Sequence, residues 1–340
     1  MTATRRAGIG RAFRRALALA ALGACVPAAP AQEWGAYYGD PIPAEIESAY
    51  VRGLNHLARS QKEDGDWADS EGNGPAVAAF AVLAIMAHGA DPNFGPYRAT
   101  IRKALGYLLA NQRADNGYIG RSMYHHGFAT LALAESYGVV NDPKLGPALR
   151  KAVDLILTSQ RKNPMGAWRY SPESSDADTT VSGAQMVALM AARNAGLAIP
   201  DEAVAKGLAF YRQCQGGDGG IGYTGPDSGN GPRPAIATLA AALAKEKDSK
   251  LFKGAWRFLR ENGESDAGGY FFYYLYYAAQ AYFHADAGAW REWNKANAER
   301  LLGTQSADGE WLGPYGGTFC TSTALLSLAL NYRFLPIYER

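Results

Sequence analysis

The chain has 340 residues, 48% of them hydrophobic, which is enough for one large domain or two small ones. Lys and Arg together number 34 against 32 Asp and Glu, but five of the arginines lie within the first fifteen residues, which carry no acid. The remainder therefore has a formal net charge of about −3, and this balance disfavours a nucleic-acid partner.

The N-terminal segment has the parts of a bacterial-type secretory signal. The arginines precede a short apolar run at 16–24, and a small-residue site, Ala29-Pro-Ala31, follows. The apolar run is too short to span a bilayer. We therefore predict a signal peptide over residues 1–31 and an exported protein, periplasmic or extracellular, that begins near Gln32. Leu22-Gly-Ala-Cys25 also fits a lipoprotein processing box, so a lipid anchor at Cys25 stays open as an alternative.

After a Gly- and Pro-rich arm at 32–42, apolar spacing predicts twelve helices. Six are amphipathic, and each is followed by a helix that is apolar almost all round, which is typical of a buried helix. The amphipathic helices are predicted at 44–60, 101–110, 149–159, 202–213, 251–261 and 290–304. Their apolar partners are predicted at 75–88, 123–137, 181–195, 235–244, 271–284 and 322–332. This alternation predicts two concentric rings of helices.

One loop pattern recurs between the two helices of each pair. Gln61-Lys-Glu-Asp-Gly-Asp-Trp67 and Gln305-Ser-Ala-Asp-Gly-Glu-Trp311 share the same spacing, looser copies begin at Gln112, Gln160 and Gln215, and a degenerate copy covers 262–270. Six units of about 50 residues indicate a repeat architecture. The sequence therefore predicts an all-α fold, a single (α/α)6 toroid over residues 43–340, with six helix-loop-helix repeats and all the loops at one end.

These Q-x-x-D-G-x-W units resemble the QW repeats of the prenyltransferase and squalene-oxidase repeat group. That group includes squalene–hopene and oxidosqualene cyclases and the β subunits of protein prenyltransferases. The resemblance covers essentially everything after Gln32, and it implies an α/α toroid in which the Gln and Trp side chains hold outer helices together. It specifies the fold more strongly than the activity.

Ser175-Asp-Ala-Asp-Thr-Thr180 resembles the D-x-D-D-T stretch of class II terpene cyclases, although Thr179 stands where the third acid is expected. The resemblance implies that Asp178 is a proton donor and Asp176 its neighbour. Protonating an alkene requires a carboxylic acid held neutral by burial and nearby like charge, so the missing acid weakens the match. Asp178 equally fits the N-cap of the helix that follows, and one carboxylate could do both.

Tyr270, Tyr273, Tyr274 and Tyr277 share one face at helical spacing, within the densest aromatic cluster of the chain. We predict that they line a cavity, where ring faces would stabilise cations, and tight packing between rings is the alternative. His126 is predicted to be a polar residue of the lumen or a helix cap.

The cysteines argue against zinc. Neither Cys214 nor Cys320 has an Asp two residues before it, as resemblance to protein prenyltransferases would require, so we predict no metal and no cofactor. In the mature chain these two cysteines are predicted to be buried free thiols rather than a disulfide.

Two functions from different classes stay open. The first is a terpenoid-cyclase-like enzyme with an aromatic cavity for a hydrophobic, isoprenoid-like small molecule. The second is a non-catalytic toroid that binds a lipid, a peptide or a partner protein. The missing third acid, and the lack of room for a second barrel, weigh against cyclisation and leave the enzymatic status open. A polysaccharide-processing barrel needs a carboxylate pair that the sequence does not reveal. We expect a monomer with no transmembrane helix.

Overall fold

Twelve α-helices alternate with Gly-rich loops through the part of the chain that the structure describes. The structure is a computed structural model, and it describes residues 42–67, 74–227, 229–265 and 267–338. The predicted signal peptide, Cys25 and arm residues 32–41 lie outside the described residues. The helices are α1 (Ala44–Ser60), α2 (Gly74–Met86), α3 (Arg98–Ala110), α4 (Met123–Ser136), α5 (Leu145–Lys162), α6 (Thr179–Asn194), α7 (Asp201–Gln213), α8 (Pro232–Leu243), α9 (Lys250–Asn262), α10 (Phe271–Ala285), α11 (Ala287–Thr304) and α12 (Gly317–Ala329).

The even-numbered helices form a closed inner ring. Each contacts the next even-numbered helix along the chain, and α12 packs back against α2. Apolar or small side chains lie on every face of these helices, so nearly all of their residues are buried. Removal of this apolar surface from water is the main stabilising contribution to the ring.

The odd-numbered helices form the outer ring. On α1 one apolar stripe, Ile46, Tyr50, Leu54 and Leu57, is buried, and the opposite face meets solvent. Because α1 also contacts α11 and α12, the first and last repeats meet. The predicted all-α toroid of inner and outer helix rings is therefore confirmed. None of the described helices is long and apolar enough to cross a membrane.

Five glutamines join neighbouring outer helices in the same way. Each side-chain amide donates one hydrogen bond to a glycine carbonyl of its own loop and another to a carbonyl of the next outer helix. The bonds between helices run from Gln61 to Thr100 (3.1 Å), Gln112 to Ala148 (2.9 Å), Gln160 to Ala203 (2.8 Å), Gln215 to Leu251 (3.0 Å) and Gln305 to Ala49 (2.8 Å). The last of these bonds joins the last repeat to the first and closes the ring.

The Gly and Trp of the loop pattern also have structural roles. Gly309 has a φ of +91°, and a Cβ atom there would lie 2.4 Å from the carbonyl oxygen of Arg52, so only glycine fits. Trp311 is buried and donates its indole N–H to the carbonyl of Leu301 at 2.9 Å. Trp67 and Trp168 make the equivalent bonds, which fixes each loop on the end of the preceding outer helix.

The helix boundaries differ most from prediction at α12, which starts at Gly317 rather than at residue 322. Its start mixes the apolar Phe319 and Cys320 with Gly317, Thr318 and Thr321, so apolar spacing did not include it. Thr318 and Thr321 are nevertheless buried in the inner ring. The Thr321 hydroxyl accepts a hydrogen bond from the backbone N–H of Trp311 at 2.9 Å. A polar helix turn is compatible with burial here because the loop provides its hydrogen-bond partner.

The C-terminal segment covers the C-terminal ends of the inner helices. A 3₁₀ turn at Pro336–Tyr338 packs against α6, and Tyr338 is buried. The ring nitrogen Nε2 of His284, at the end of α10, lies 3.2 Å from the carbonyl oxygen of Ile337. The Asn194 amide, at the end of α6, donates to the carbonyl of Pro336. The N-terminal ends of the inner helices lie at the opposite end of the ring.

We predict that Gln160→Met destabilises the protein by about 2 kcal/mol, because it removes the two bonds that the Gln160 amide donates to the carbonyl groups of Gly166 and Ala203, and at a residue only 2% exposed water cannot replace them. Gln112→Met is the matched control, since Gln112 makes the same pair of bonds but is partly exposed, where water can replace them. Urea unfolding measures both free energies. Equal losses in the two variants would contradict the role assigned to buried glutamine bonds.

Candidate functional site

A cavity of about 690 Å³ lies at the N-terminal ends of the inner helices. All six inner helices contribute to its wall through their first two turns. Apart from tyrosine hydroxyl groups, its polar lining consists of Ser122, His125, Thr180, Asn230 and Arg233. Most of the wall is aromatic, from Phe80, Tyr124, Phe128, Tyr170, Tyr223, Tyr270, Tyr273, Tyr315 and Phe319. No Asp or Glu of the described residues lines it.

The aromatic rings pack against one another rather than standing alone. At the deep end, the ring of Phe80 lies 4.3 Å from that of Phe128 and 5.4 Å from that of Phe319, measured between centroids. At the mouth, Tyr270 and Tyr315 stack at 5.9 Å and are partly exposed. Ring faces and edges therefore surround the cavity, an environment that suits apolar groups and delocalised cations.

Asp178 caps α6 and is also fully buried. Its Oδ1 accepts hydrogen bonds from the backbone N–H groups of Thr180 at 2.9 Å and Val181 at 2.7 Å, while the side chain is 0% exposed. Its Oδ2 makes no hydrogen bond with the described residues and lies 3.7 Å from Nε of Arg169. Burial raises the pKa of Asp178, although the bonds to its carboxylate and the Arg169 charge act in the opposite direction.

The Asp178 carboxylate does not line the cavity itself, but two hydroxyl groups connect it to the wall. The Thr180 hydroxyl lies 2.7 Å from Asp178 Oδ1, and the Tyr124 hydroxyl lies 2.5 Å from Thr180 Oγ1. Both Thr180 and Tyr124 line the cavity. Asp178, Thr180 and Tyr124 thus form a continuous hydrogen-bonded chain, which we call the Asp178 chain.

Asp176 lies near Asp178 but in water. Its side chain is 67% exposed, and its Oδ2 is 3.6 Å from Nε of Arg169, the same nitrogen that approaches Asp178. The Arg169 guanidinium lies over the rings of Tyr170 at 5.4 Å and Tyr223 at 5.1 Å, both on the cavity wall. Arg169 therefore separates the exposed acid from the buried one.

The four tyrosines predicted on one cavity face divide into two groups. Tyr270 and Tyr273 line the cavity, whereas Tyr274 and Tyr277 do not. Tyr274 is buried beside Gly263 and Trp293, towards the outer helices. Tyr277 lies one helical turn deeper than Tyr273 and packs on it with centroids 5.1 Å apart. The predicted tyrosine face therefore extends beyond the residues that reach the cavity, around the helix at Tyr274 and along it at Tyr277.

His126 is a structural residue, and its neighbour His125 lines the cavity instead. The Nδ1 of His126 accepts from the backbone N–H of Ile119 at 3.1 Å, and its Nε2 lies 3.0 Å from the carbonyl oxygen of Ala152. These two bonds join α4 to the preceding loop and to α5. The sequence did not distinguish the two adjacent histidines, because both positions fit the first turn of an inner helix.

Most of the remaining cavity residues were missed by sequence reasoning. Phe80, Tyr124, Phe128 and Phe319 belong to the first two turns of inner helices, and Tyr170 and Tyr223 belong to the loops before such helices. Listing the aromatic residues near each predicted inner-helix N-terminus would have found them.

Cys214 and Cys320 are buried and are not joined in a disulfide. In the described part of the chain, no group of three or more His, Cys, Asp or Glu side chains could hold a metal ion.

Comparison with known proteins gives one short sequence match. No protein-family model matches the chain. A stretch of 75 residues is 37% identical to a drimenyl diphosphate synthase from Streptomyces showdoensis, and this stretch spans 22% of the chain but only 13% of the synthase.

Solved structures match over most of the chain at low sequence identity. The type II terpene cyclase MstE from Scytonema, in complex with its substrate geranylgeranyl dihydroxybenzoate, has a TM-score of 0.58 and 15% identity, and the match covers 86% of this chain and 98% of that protein. The α-1,6-mannanase of Salegentibacter sp. HEL1_6 has a TM-score of 0.63 and 10% identity, covering 84% and 99%. Both are α/α toroids, so these likenesses establish the fold.

We predict that His126 makes the protein sensitive to acid. Burial lowers the pKa of His126 to about 4, whereas an unfolded histidine titrates near pH 6.5. Between these pH values the unfolded chain binds a proton that the folded chain does not, so the free energy of unfolding falls as the pH drops from about 6.5 to 4, by on the order of 2 to 3 kcal/mol.

Urea unfolding across this pH range would measure the slope, and His126→Gln should flatten it. The slope is compared rather than the absolute stability, because the substitution itself weakens the bonds to Ile119 and Ala152. An unchanged slope in the variant would show that another group causes the acid sensitivity.

Proposed function

We propose that this toroid binds a hydrophobic, isoprenoid-like molecule in the aromatic cavity and acts on it as a terpenoid cyclase does, with Asp178 as the ionisable group of the reaction. The observation that carries the proposal is the wall itself: nine aromatic side chains and no carboxylate of the described residues line a cavity of about 690 Å³. Cavities of roughly 300 to 1,000 Å³ are the usual size of small-molecule sites.

The comparisons support this reading of the wall. MstE, which shares the toroid, is a terpene cyclase whose substrate carries a geranylgeranyl group, and the short sequence match is to a drimenyl diphosphate synthase. The mannanase shares the toroid equally well. A glycosidase, however, generally needs two carboxyl groups that flank its substrate, and this cavity wall has none among the described residues.

Asp178 has the properties that an acid of this kind requires. It is shielded from water, its pKa is raised by burial, and its Oδ2 is not committed to a hydrogen bond with the described residues. The cap uses only Oδ1, so it leaves the carboxyl able to hold a proton on Oδ2. Asp176 is exposed and paired with Arg169, so it competes with Asp178 for the same guanidinium group.

A toroid that binds the same ligand without converting it is the alternative. The cavity wall is identical in both cases, so only the fate of the ligand distinguishes them. We also propose, from the sequence alone, that the protein is exported, and N-terminal sequencing of the mature chain would begin near Gln32 or at a lipidated Cys25 if so.

We predict that farnesol binds in the cavity and that Phe319→Ala weakens its binding about tenfold, because the Phe319 ring forms part of the wall beside Phe80 and Tyr315. Phe94→Ala is the matched control, since Phe94 is 89% exposed and lies outside the cavity. Titration calorimetry would measure both affinities, with α-1,6-mannotriose as a comparison ligand. Binding of mannotriose but not of farnesol would contradict the proposal.

We predict that Asp178→Asn abolishes conversion of isoprenoid substrates and leaves farnesol binding within about twofold of the wild type. The Asn amide oxygen can still accept the backbone N–H bonds that cap α6, but an amide cannot protonate an alkene. Squalene, farnesol and geranylgeraniol are incubated with both proteins, and products are identified by mass spectrometry. Wild-type binding without any product would favour the non-catalytic toroid.

A further inference from the structure

The Asp178 chain runs in one direction, from the cavity wall towards the carboxylate. Backbone N–H groups can only donate, and two of them already bond to Oδ1 of Asp178. An oxygen that accepts two such bonds is an unfavourable place for a proton, so a proton on Asp178 occupies Oδ2. The Thr180 hydroxyl, 2.7 Å from Oδ1, must therefore donate its hydrogen to Asp178 whether or not the acid is ionised.

This direction determines what Tyr124 can offer a ligand. The one hydroxyl hydrogen of Thr180 is used on Asp178, so Thr180 Oγ1 can only accept from the Tyr124 hydroxyl, 2.5 Å away. The phenol hydrogen of Tyr124 is thereby committed to Thr180. Tyr124 lines the cavity, and what it has left is an oxygen lone pair, for which a ligand competes with the neighbouring hydroxyl of Tyr273 on the same wall.

We infer that Tyr124 is the proton-accepting group of the cavity, held in that state by Asp178 through Thr180. The inference rests on the proposed function, and it adds a catalytic residue, Tyr124, and a positioning residue, Thr180. A lone pair directed at an aromatic-walled cavity would stabilise a cationic ligand by hydrogen bonding or by charge, in addition to the attraction of the ring faces.

The Asp178 chain also provides a route by which a carbocation can lose a proton, with every proton and electron pair accounted for. A C–H bond next to the cationic carbon breaks, and its electron pair forms the alkene. Tyr124 takes the proton, its own hydroxyl proton passes to Thr180, and the Thr180 proton passes to Oδ1 of ionised Asp178. A cation and a carboxylate thus become a neutral alkene and a neutral acid, with no other reactant.

The two oxygens of Asp178 then have different roles. Oδ1, where the chain from the cavity wall ends, receives the proton that ends a reaction, whereas Oδ2 makes no hydrogen bond with the described residues. The relay therefore returns a proton to Asp178 without bulk water, which fits a side chain that is 0% exposed.

The test compares two ligands that differ in charge but not in shape. N,N-dimethylfarnesylamine is a tertiary ammonium ion at pH 7 and can donate its N–H to an oxygen lone pair. Its hydrocarbon isostere, with CH in place of NH⁺, has the same size and no charge. The wild type should bind the ammonium at least about tenfold more tightly than the hydrocarbon, as measured by calorimetry.

Three variants test whether the Asp178 chain causes this preference for the ammonium ion. Tyr124→Phe should lower the ratio of the two affinities to the preference that the ring faces alone give, with little change for the hydrocarbon. Thr180→Val should lower the ratio, since the phenol hydrogen loses its acceptor and is free to turn towards the ligand, and Thr180→Ser should restore it. Loss of α6 packing would weaken both ligands equally and leave the ratio unchanged. A wild-type ratio in Tyr124→Phe or Thr180→Val would overturn the inference.

A ligand-free measurement separates this inference from the proposed function. In protein labelled with ¹³C at tyrosine Cζ, the Tyr124 signal, assigned with Tyr124→Phe, should shift in Thr180→Val and return in Thr180→Ser. An unshifted signal in Thr180→Val would show that the hydrogen bonds of the Asp178 chain are not formed, whichever ligand the protein binds. If the signal shifts but the wild type binds neither ligand, the chain exists, and both the proposed function and the role of Tyr124 towards a ligand fail.

Discussion

Closure of the helix ring depends on one repeated hydrogen-bond pair, the glutamine amide that joins its own loop to the next outer helix. Five repeats use it, and the Gln305 bond to Ala49 joins the last repeat to the first. In the degenerate repeat, Arg300 of α11 forms an ion pair with Glu264 in the loop after α9, so a charged contact spans the gap between those two outer helices. A ring of apolar inner helices without such links would leave the contact between α12 and α2 to apolar packing alone.

Because each link starts in a loop that leads into an inner helix, all six inner-helix N-termini lie at the same end. Helix N-termini carry partial positive charge and N–H groups without a partner in the helix. These N–H groups need hydrogen-bond acceptors from caps, from solvent or from a ligand. Asp178 and Ser122 cap α6 and α4, while α10 and α12 have no side-chain cap. Aromatic side chains from the first turns then cover the space between the helix ends, and the cavity is a direct result of the repeat.

The fold could be predicted from the sequence because its signals are local and repeated. A glutamine and a glycine at positive φ recur four to six residues apart in five repeats, with a tryptophan in three of them, and each has a structural reason to be there. The site could be predicted only in part, since a helical stripe such as Tyr270 to Tyr277 does not reveal how far the cavity extends along the helix. His125 and His126 are neighbours in sequence, and only the positions of Ile119 and Ala152 decide which of them is used in packing.

Asp178 shows why a cap and a chemical role should not be treated as alternatives. Two backbone N–H bonds stabilise negative charge on Oδ1 and lower the cost of burying the group, while Oδ2 is left with only Arg169 nearby. The cap therefore holds the carboxyl in one orientation and makes its two oxygens unequal. An uncapped acid in the same place could rotate, and the direction of the bonds from Tyr124 through Thr180 would no longer be fixed. In this toroid the helix cap provides the orientation on which any proton transfer from or to Asp178 depends.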